Sequence, residues 1–364
     1  GSRGETQGEQ IIEPVDGTDL TLTIDRDIQV QAEEILAKAI TQNKATGGTI
    51  IVQEPASGKI LALANNPPFD PNNYSKSKIA HFLNPALQTV YEPGSVFKVL
   101  TMAAGIDSNK ITPDTEFTDS GSVTLNSKTI TNYKGKAYGR VSMTEVIENS
   151  INTGAVFAVR ETGYDNFYNY ILKFGFDDKT GINLPGEVKG NIKILKNNAR
   201  DINFATAAFG QGIAVTPIEL LGAIGAIANG GILMKPYLRA HTPPQIVRRV
   251  INAATAKKIT QMMVGAVKKA KIAQIPEFEI AGKTGTAQIP DFKKGGYTNE
   301  FIHTFAGFAP ASEPRFTILI KIDKPQVGAL AGLTVVPAFR ELAQFILSYY
   351  NIPPDNLAAS GQKP

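Results

Sequence analysis

The sequence predicts an α+β fold in which one antiparallel sheet, built from both ends of the chain, carries an inserted, mainly helical lobe. Three observations lead there. Strand-like segments cluster before residue 65 and after residue 278, helical periodicities fill the interval, and a helix flanks the strands at each end. Such a layout packs helices against a sheet and leaves a cleft between two lobes.

Taken in order, residues 1–18 are polar and read as a tag remnant and tether, because Gly1-Ser2-Arg3-Gly4 opens without an initiator Met. Leu20-Thr21-Leu22-Thr23-Ile24 alternates like a strand. Asp25 to Lys44 then carries Ile28, Ala32, Ile35, Leu36 and Ile40 on one helical face. Thr49-Ile50-Ile51-Val52 and Ile60 to Ala64 flank the turn Pro55-Ala56-Ser57-Gly58, which predicts a hairpin. A loop rich in Pro and Asn follows over 65–73. The helical lobe spans about 80–272, with helices over Ser142–Asn149, Gly154–Glu161, Pro217–Asn229 and Ala253–Ala270. Strands return over Phe278–Gly282, Thr284–Ile289, Ile302–Phe308 and Arg315–Ile322. The apolar helix Val336–Leu347 closes the fold, and 351–364 reads as a flexible tail.

Composition narrows the chemistry. A chain of 364 residues can bury a sizeable core, and 42% hydrophobic with 19% charged residues excludes a disordered polymer. A formal charge of +4 gives no argument for a nucleic-acid partner. The absence of Cys excludes disulfide scaffolds, thiolate catalysis and Cys-ligated zinc. His81, His241 and His303 are scattered, which leaves little to build a His-rich metal site or a Ser-His-Asp triad. No cofactor is expected. The most apolar run, Leu220 to Met234, is interrupted by Gly222, Gly225, Asn229 and Gly230-Gly231 and falls short of the ~20 residues that cross a bilayer. It reads as a buried helix followed by a turn.

Three short motifs can carry chemistry. Ser-x-x-Lys places hydroxyl and amine one turn apart on a helix face. Serine at a helix start also meets unpaired N–H groups that favour developing negative charge. The lysine acts as a base only when neutral, and bringing its pKa from about 10.4 to near 7 costs roughly 4–5 kcal/mol. Burial and a second cation push that way. Of the three copies, Ser75…Lys78 lies in a charged stretch and Ser360…Lys363 in the tail. Only Ser95…Lys98 follows a loop, Glu92-Pro93-Gly94, and opens an apolar helix that Gly105 is expected to stop. An ordinary capping serine would read the same way.

Lys283-Thr284-Gly285 lies in strand-like flanks, where small residues would let a substrate backbone add to an edge. Its copy Lys179-Thr180-Gly181 lies in a loop. By itself the triplet reads as a solvated lysine on an edge strand. Ser150-Ile151-Asn152 joins two helical stretches and is the only Ser-x-Asn in the chain. Other patterns fail on required residues: Glu277 stands where a phosphate loop needs glycine, and Val215 stands where a dinucleotide fingerprint does. His303 is most simply a packed or edge histidine.

In this order, Ser95-x-x-Lys98, Ser150-x-Asn152 and Lys283-Thr284-Gly285 resemble the penicillin-recognising acyl-serine enzymes. Tyr91-Glu92-Pro93-Gly94-Ser95, Leu20 to Asp25, Gly210 to Pro217 and Ala228-Asn229-Gly230-Gly231 narrow the resemblance to class B penicillin-binding proteins over about 19–350. That resemblance implies a five-stranded antiparallel sheet of the serine β-lactamase/D,D-peptidase type and a monofunctional peptidoglycan D,D-transpeptidase. It implies Ser95 as nucleophile, Lys98 as base and Ser150 as proton relay. Asn152 would hold Lys98, and Lys283 would keep the site electropositive. Thr284, Gly285 and Thr286 would bind the substrate end, with the Ser95 and Thr286 N–H groups as oxyanion hole. The implied partners are stem peptides, β-lactams, and division or elongation proteins reached through an upstream region. The implied place is the extracytoplasmic face of the cytoplasmic membrane. Two alternatives share the motifs, a serine β-lactamase and a β-lactam sensor. A class A lactamase needs a deacylating Glu, for which Glu187 is the nearest candidate, and it lacks the usual context.

Overall fold

Asp25 opens the first helix because its carboxylate accepts the otherwise unpaired amides of Asp27 and Ile28. The computed structural model describes residues 16–355 apart from 198 and 272. The expected tether over 1–15, the Ser360…Lys363 pair and the tail beyond 355 lie outside the described residues. Helix α1 (Arg26–Asn43) buries Ile28, Ala32, Ile35 and Leu36, as the periodicity predicts, and ends with Lys44 in the left-handed region. Strands β1 (Gly47–Gln53) and β2 (Ile60–Asn66) form the expected hairpin.

The remaining strands of the sheet are β3 (Ala281–Pro290), β4 (Tyr297–Ala309) and β5 (Phe316–Asp323). All pairings are antiparallel, in the order β2-β1-β5-β4-β3, so the two ends of the chain meet where β1 pairs with β5. The fold is α+β with a five-stranded antiparallel sheet. β3 is an edge, with one row of backbone N–H and C=O groups unpaired.

Both faces of the sheet are covered. On one face Ile50, Val52, Phe305, Ile318 and Ile320 pack under α1 and the closing helix, with Phe339 edge-on to Phe305 at 4.5 Å. The other face contributes Ile51, Ala306, Phe308 and Leu319 to a larger apolar core shared with the intervening helices. Besides the single turn Pro85–Gln88, those are α2 (Lys98–Asp107), α3 (Met143–Asn149), α4 (Asn152–Thr162), α5 (Tyr164–Lys173), α6 (Asp201–Ala207), α7 (Pro217–Ala228) and α8 (Ala253–Ala270). Ser142 with Glu145, and Thr216 with Glu219, close capping boxes on α3 and α7. The closing helix is α9 (Ala331–Tyr349).

Four expectations need correction. Leu20 to Ile24 forms only a single bridge, Leu22 to Arg239, and leaves Leu20 and Leu22 exposed, so alternation without a buried face makes no strand here. The two strands expected around Lys283 are one, because Phe278 belongs to a turn bridged to Ile275 and pairing begins at Ala281. Gly105 does not stop α2. It lies inside the helix, where a Cβ would stand 2.6 Å from Ile111, so its role is close packing. Finally, α9 begins at Ala331 rather than Val336, with Pro337 in its second turn beside the exposed Leu333, whose carbonyl a non-proline residue would bond.

Phe339→Ala should remove the ring that joins α9 to Phe305 and leave a cavity, costing roughly 3–5 kcal/mol. Urea unfolding checks this; a loss under 1 kcal/mol would contradict the packing described.

Candidate active site

Glycine crossings bring the motifs together. Ser95 lies half-buried in a 3₁₀ turn, Gly94–Phe97, that runs without a break into α2. Gly94 N donates to Gly210 O at 3.1 Å, and a Cβ on Gly210 would stand 2.2 Å from Gly94 O. Both glycines have positive φ. On the strand side, a Cβ on Gly285 would stand 2.7 Å from Pro93 O. The Ser95 turn is therefore held between the Gly210 loop and β3, at distances that a side chain at either glycine would forbid. Glu92 adds a polar tie, accepting from Gly212 N and from Tyr297 OH, each at 3.0 Å. Burial raises its pKa.

Lys98 follows Ser95 by one turn and is completely buried. Its Nζ donates to Ser150 O at 2.6 Å and to Asn152 Oδ1 at 2.7 Å, and lies 3.2 Å from Ser150 Oγ. Lys283, also buried, reaches the same Ser150 Oγ at 3.0 Å and Thr284 O at 3.1 Å. One hydroxyl thus stands between two amines. Burial first, and the Lys283 charge second, hold Lys98 well below its ordinary pKa. Burial brings Lys283 to about 8. Two ammonium groups on one buried oxygen are unfavourable together, and losing one proton relieves the repulsion. Lys98, under both influences, is the one to lose it.

Ser150 reaches both amines because it caps α3 in the left-handed region (φ 56°, ψ 43°), an uncommon conformation for serine. Asn152 opens α4, whose N-cap, Ile151, has no side-chain acceptor to offer. Asn132 supplies it from another segment: its Oδ1 accepts from Asn152 N at 2.9 Å and Thr153 N at 3.1 Å. Asn152 Nδ2 donates to Thr131 O at 2.9 Å, which leaves Oδ1 for Lys98. Behind them Asp119, buried, accepts from Thr153 Oγ1 (2.6 Å), Asn132 Nδ2 (2.8 Å), Tyr138 N (2.9 Å) and Gly121 N (3.0 Å). Sequence reasoning missed Asp119, Asn132 and Thr153. The one available signal was a helix starting after Ile151 with no capping side chain.

The structure gathers the Ser95 turn, Lys98, Ser150, Asn152 and Lys283. Along β3, Thr284 and Thr286 alternate with Lys283 and Gly285. Thr284 Oγ1 lies 3.5 Å from Lys283 Nζ, while Thr286 Oγ1 accepts from Ala331 N at 3.2 Å, at the start of α9. The decoys lie elsewhere. Ser75 and Lys78 are exposed, and the Thr180 and Gly181 amides donate to the Glu187 carboxylate at 2.7 and 3.1 Å. His303 is packed inside the fold, as expected.

Residues 48–344 match the family model described as penicillin binding protein transpeptidase domain. Stage V sporulation protein D of Bacillus subtilis is 32% identical over 381 residues, covering all of this chain and 57% of the relative. Penicillin-binding protein PbpB of Mycolicibacterium smegmatis is 30% identical, covering 93% of this chain and 56% of its own. The chain thus spans a little over half the length of these curated relatives. Among solved structures, penicillin-binding protein 3 of Mycobacterium tuberculosis complexed with aztreonam superposes with a TM-score of 0.86 at 29% identity, covering 95% of this chain and 82% of that one. The apo transpeptidase domain of Burkholderia pseudomallei penicillin-binding protein 3 gives 0.81 at 27% identity, covering 92% and 98%.

Asp119→Ala should leave four donors without their acceptor and cost roughly 2–5 kcal/mol in urea unfolding. The exposed Glu116, paired with Arg140, is the control, and its removal should cost under about 1 kcal/mol. Equal losses at the two positions would contradict a supporting role for Asp119.

Proposed function

The chain belongs to the penicillin-binding protein transpeptidase family, and from that premise we propose that it is a peptidoglycan D,D-transpeptidase working through an acyl-serine. One observation carries this reading: two buried amines share the Ser150 hydroxyl, and one of them stands a helical turn from Ser95 against an edge strand.

In this reading neutral Lys98 takes the Ser95 proton as Oγ attacks the carbonyl carbon of the penultimate D-Ala. The N–H groups of Ser95 and Thr286 hold the oxyanion. A Cβ on Gly94 would stand 3.4 Å from Thr286 O, so the two segments are close enough to share one oxygen. Ser150 gives its proton to the departing D-Ala nitrogen and takes the one Lys98 holds, the C–N bond breaks, and the stem peptide remains as an ester on Ser95. The amine of a second stem peptide attacks that ester, forms the cross-link and frees the serine. Asn152 holds Lys98, and Lys283 keeps the groove positive toward a carboxylate. The Thr284 and Thr286 hydroxyls bind that carboxylate, while Gly285 lets the strand lie against the nucleophile's turn. β-Lactams open on Ser95 in the same way, but their leaving nitrogen stays tethered and the ester persists.

The Glu187 carboxylate is taken up by Thr180 and Gly181, which argues against a deacylating lactamase. We read about 80–272 as a lobe inserted into the α+β lobe, both within a transpeptidase domain over 19–350. The site of action we propose is the extracytoplasmic face of the cytoplasmic membrane, with division or elongation proteins as partners. No helix among the described residues is long and apolar enough to cross a membrane.

Labelled penicillin should leave its adduct on the peptide containing Ser95, and Ser95→Ala should abolish it; label on Ser75 or Ser150 would overturn the assignment. Lys98→Arg should lose acylation although a basic side chain is kept, because arginine does not deprotonate. A peptide ending in D-Ala-D-Ala, given an acceptor amine, should yield cross-linked product. A sensor would take the label and make none.

Acylation should fall as pH drops through the Lys98 pKa, since a protonated base accepts nothing. Lys283→Gln removes a neighbouring cation, favours charged Lys98 and should move that acid limb to higher pH. Stopped-flow acylation across pH checks the direction; a shift to lower pH would contradict it.

A further inference from the structure

His303 stands directly across β4 from Thr286 of β3, so their side chains share one face of the sheet. Its ring is buried, and Nδ1 lies 2.8 Å from Thr334 Oγ1 in the first turn of α9. That same turn presents Ala331 N to Thr286 Oγ1 at 3.2 Å. Nε2 is buried and has no hydrogen-bond partner among the described residues. An orphaned buried nitrogen costs stability, and such a group asks for an explanation beyond packing. A phenylalanine would fill the space without that cost.

The geometry points to His303 as a positioning residue for carboxylate recognition: it fixes the first turn of α9 so that Ala331 N occupies the Thr286 oxygen and leaves the threonine's own proton for the substrate's terminal carboxylate. This rests on the reading of Thr286 given under Proposed function. The chemistry is directional. A threonine hydroxyl has one proton to donate and two lone pairs. With one of those lone pairs accepting from Ala331 N–H, the proton is free to turn toward the groove. The positive end of α9, a helix of 19 residues, then lies behind that hydroxyl and favours an anion in front of it. Burial brings the His303 pKa down to about 4, so the ring is neutral near pH 7 and adds no charge of its own. Its contribution is placement of α9, through Thr334.

The test compares benzylpenicillin with its methyl ester, which lacks the carboxylate, as acylating agents of the intact chain. Wild type should prefer the acid strongly. His303→Phe, which keeps ring bulk and removes Nδ1, should cut the second-order acylation constant for the acid about tenfold while changing that for the ester less than twofold. Thr334→Val should do the same from the other side of the contact. In a Thr286→Val background, His303→Phe should have no further effect on the preference. Equal losses for acid and ester, or additive losses in the double variant, would show a merely structural histidine and overturn the proposal. If Thr286→Val abolishes the preference but both His303→Phe and Thr334→Val retain it, the proposal falls and the reading of Thr286 stands. If Thr286→Val retains it, that reading falls and takes the proposal with it.

Discussion

The site depends on the desolvation of one ammonium. Lys98 is completely buried, and its neighbour across the Ser150 hydroxyl is a second buried lysine. Holding both charged on one shared oxygen is unfavourable, so burial and the Lys283 charge favour the uncharged form of Lys98, the base in the proposed mechanism. The three oxygens around Lys98 orient its nitrogen: Ser150 O and Asn152 Oδ1 take the two N–H groups that a neutral amine has, Ser150 Oγ lies farther off, and none is a carboxylate. A carboxylate in their place would hold the proton and leave no base.

Everything else in the site serves that arrangement. Asn152 can turn its oxygen to Lys98 because Thr131 O takes its amide, and α4 can begin there because Asn132 caps it from another segment. Asp119 fixes Asn132, and its carboxylate is bonded to amide and hydroxyl donors rather than to either lysine. Gly210 and Gly285 set the depth at which the Ser95 turn sits between loop and strand. The sheet order places β3 at the edge, where a peptide can add alongside Lys283.

Much of this was legible in the sequence, and the reason differs from element to element. α1, α8 and the β1–β2 hairpin carry strong periodicity or turn chemistry and came out nearly residue for residue. Ser95, Lys98, Ser150, Asn152 and Lys283 were legible as an ordered set, although each motif alone had an ordinary explanation. The Asp119–Asn132 support was not, because it joins a short strand to a helix start through side chains with no fixed spacing. Gly105 misled because a packing glycine and a stop signal look alike in one dimension. Leu20 to Ile24 misled because alternation reports a buried face only where a partner sheet exists to bury it.

The central claim is that Lys98 is uncharged in the resting protein near neutral pH. The direct measurement is an NMR titration of lysine side chains labelled with ¹³C at Cε, with the Lys98 signal assigned by its loss in Lys98→Met. The account predicts a chemical shift of the neutral amine at pH 7, with protonation only on acidification. A Lys98 signal that stays in the ammonium position up to pH 9, while Ser95 still acylates at its normal rate, would contradict it.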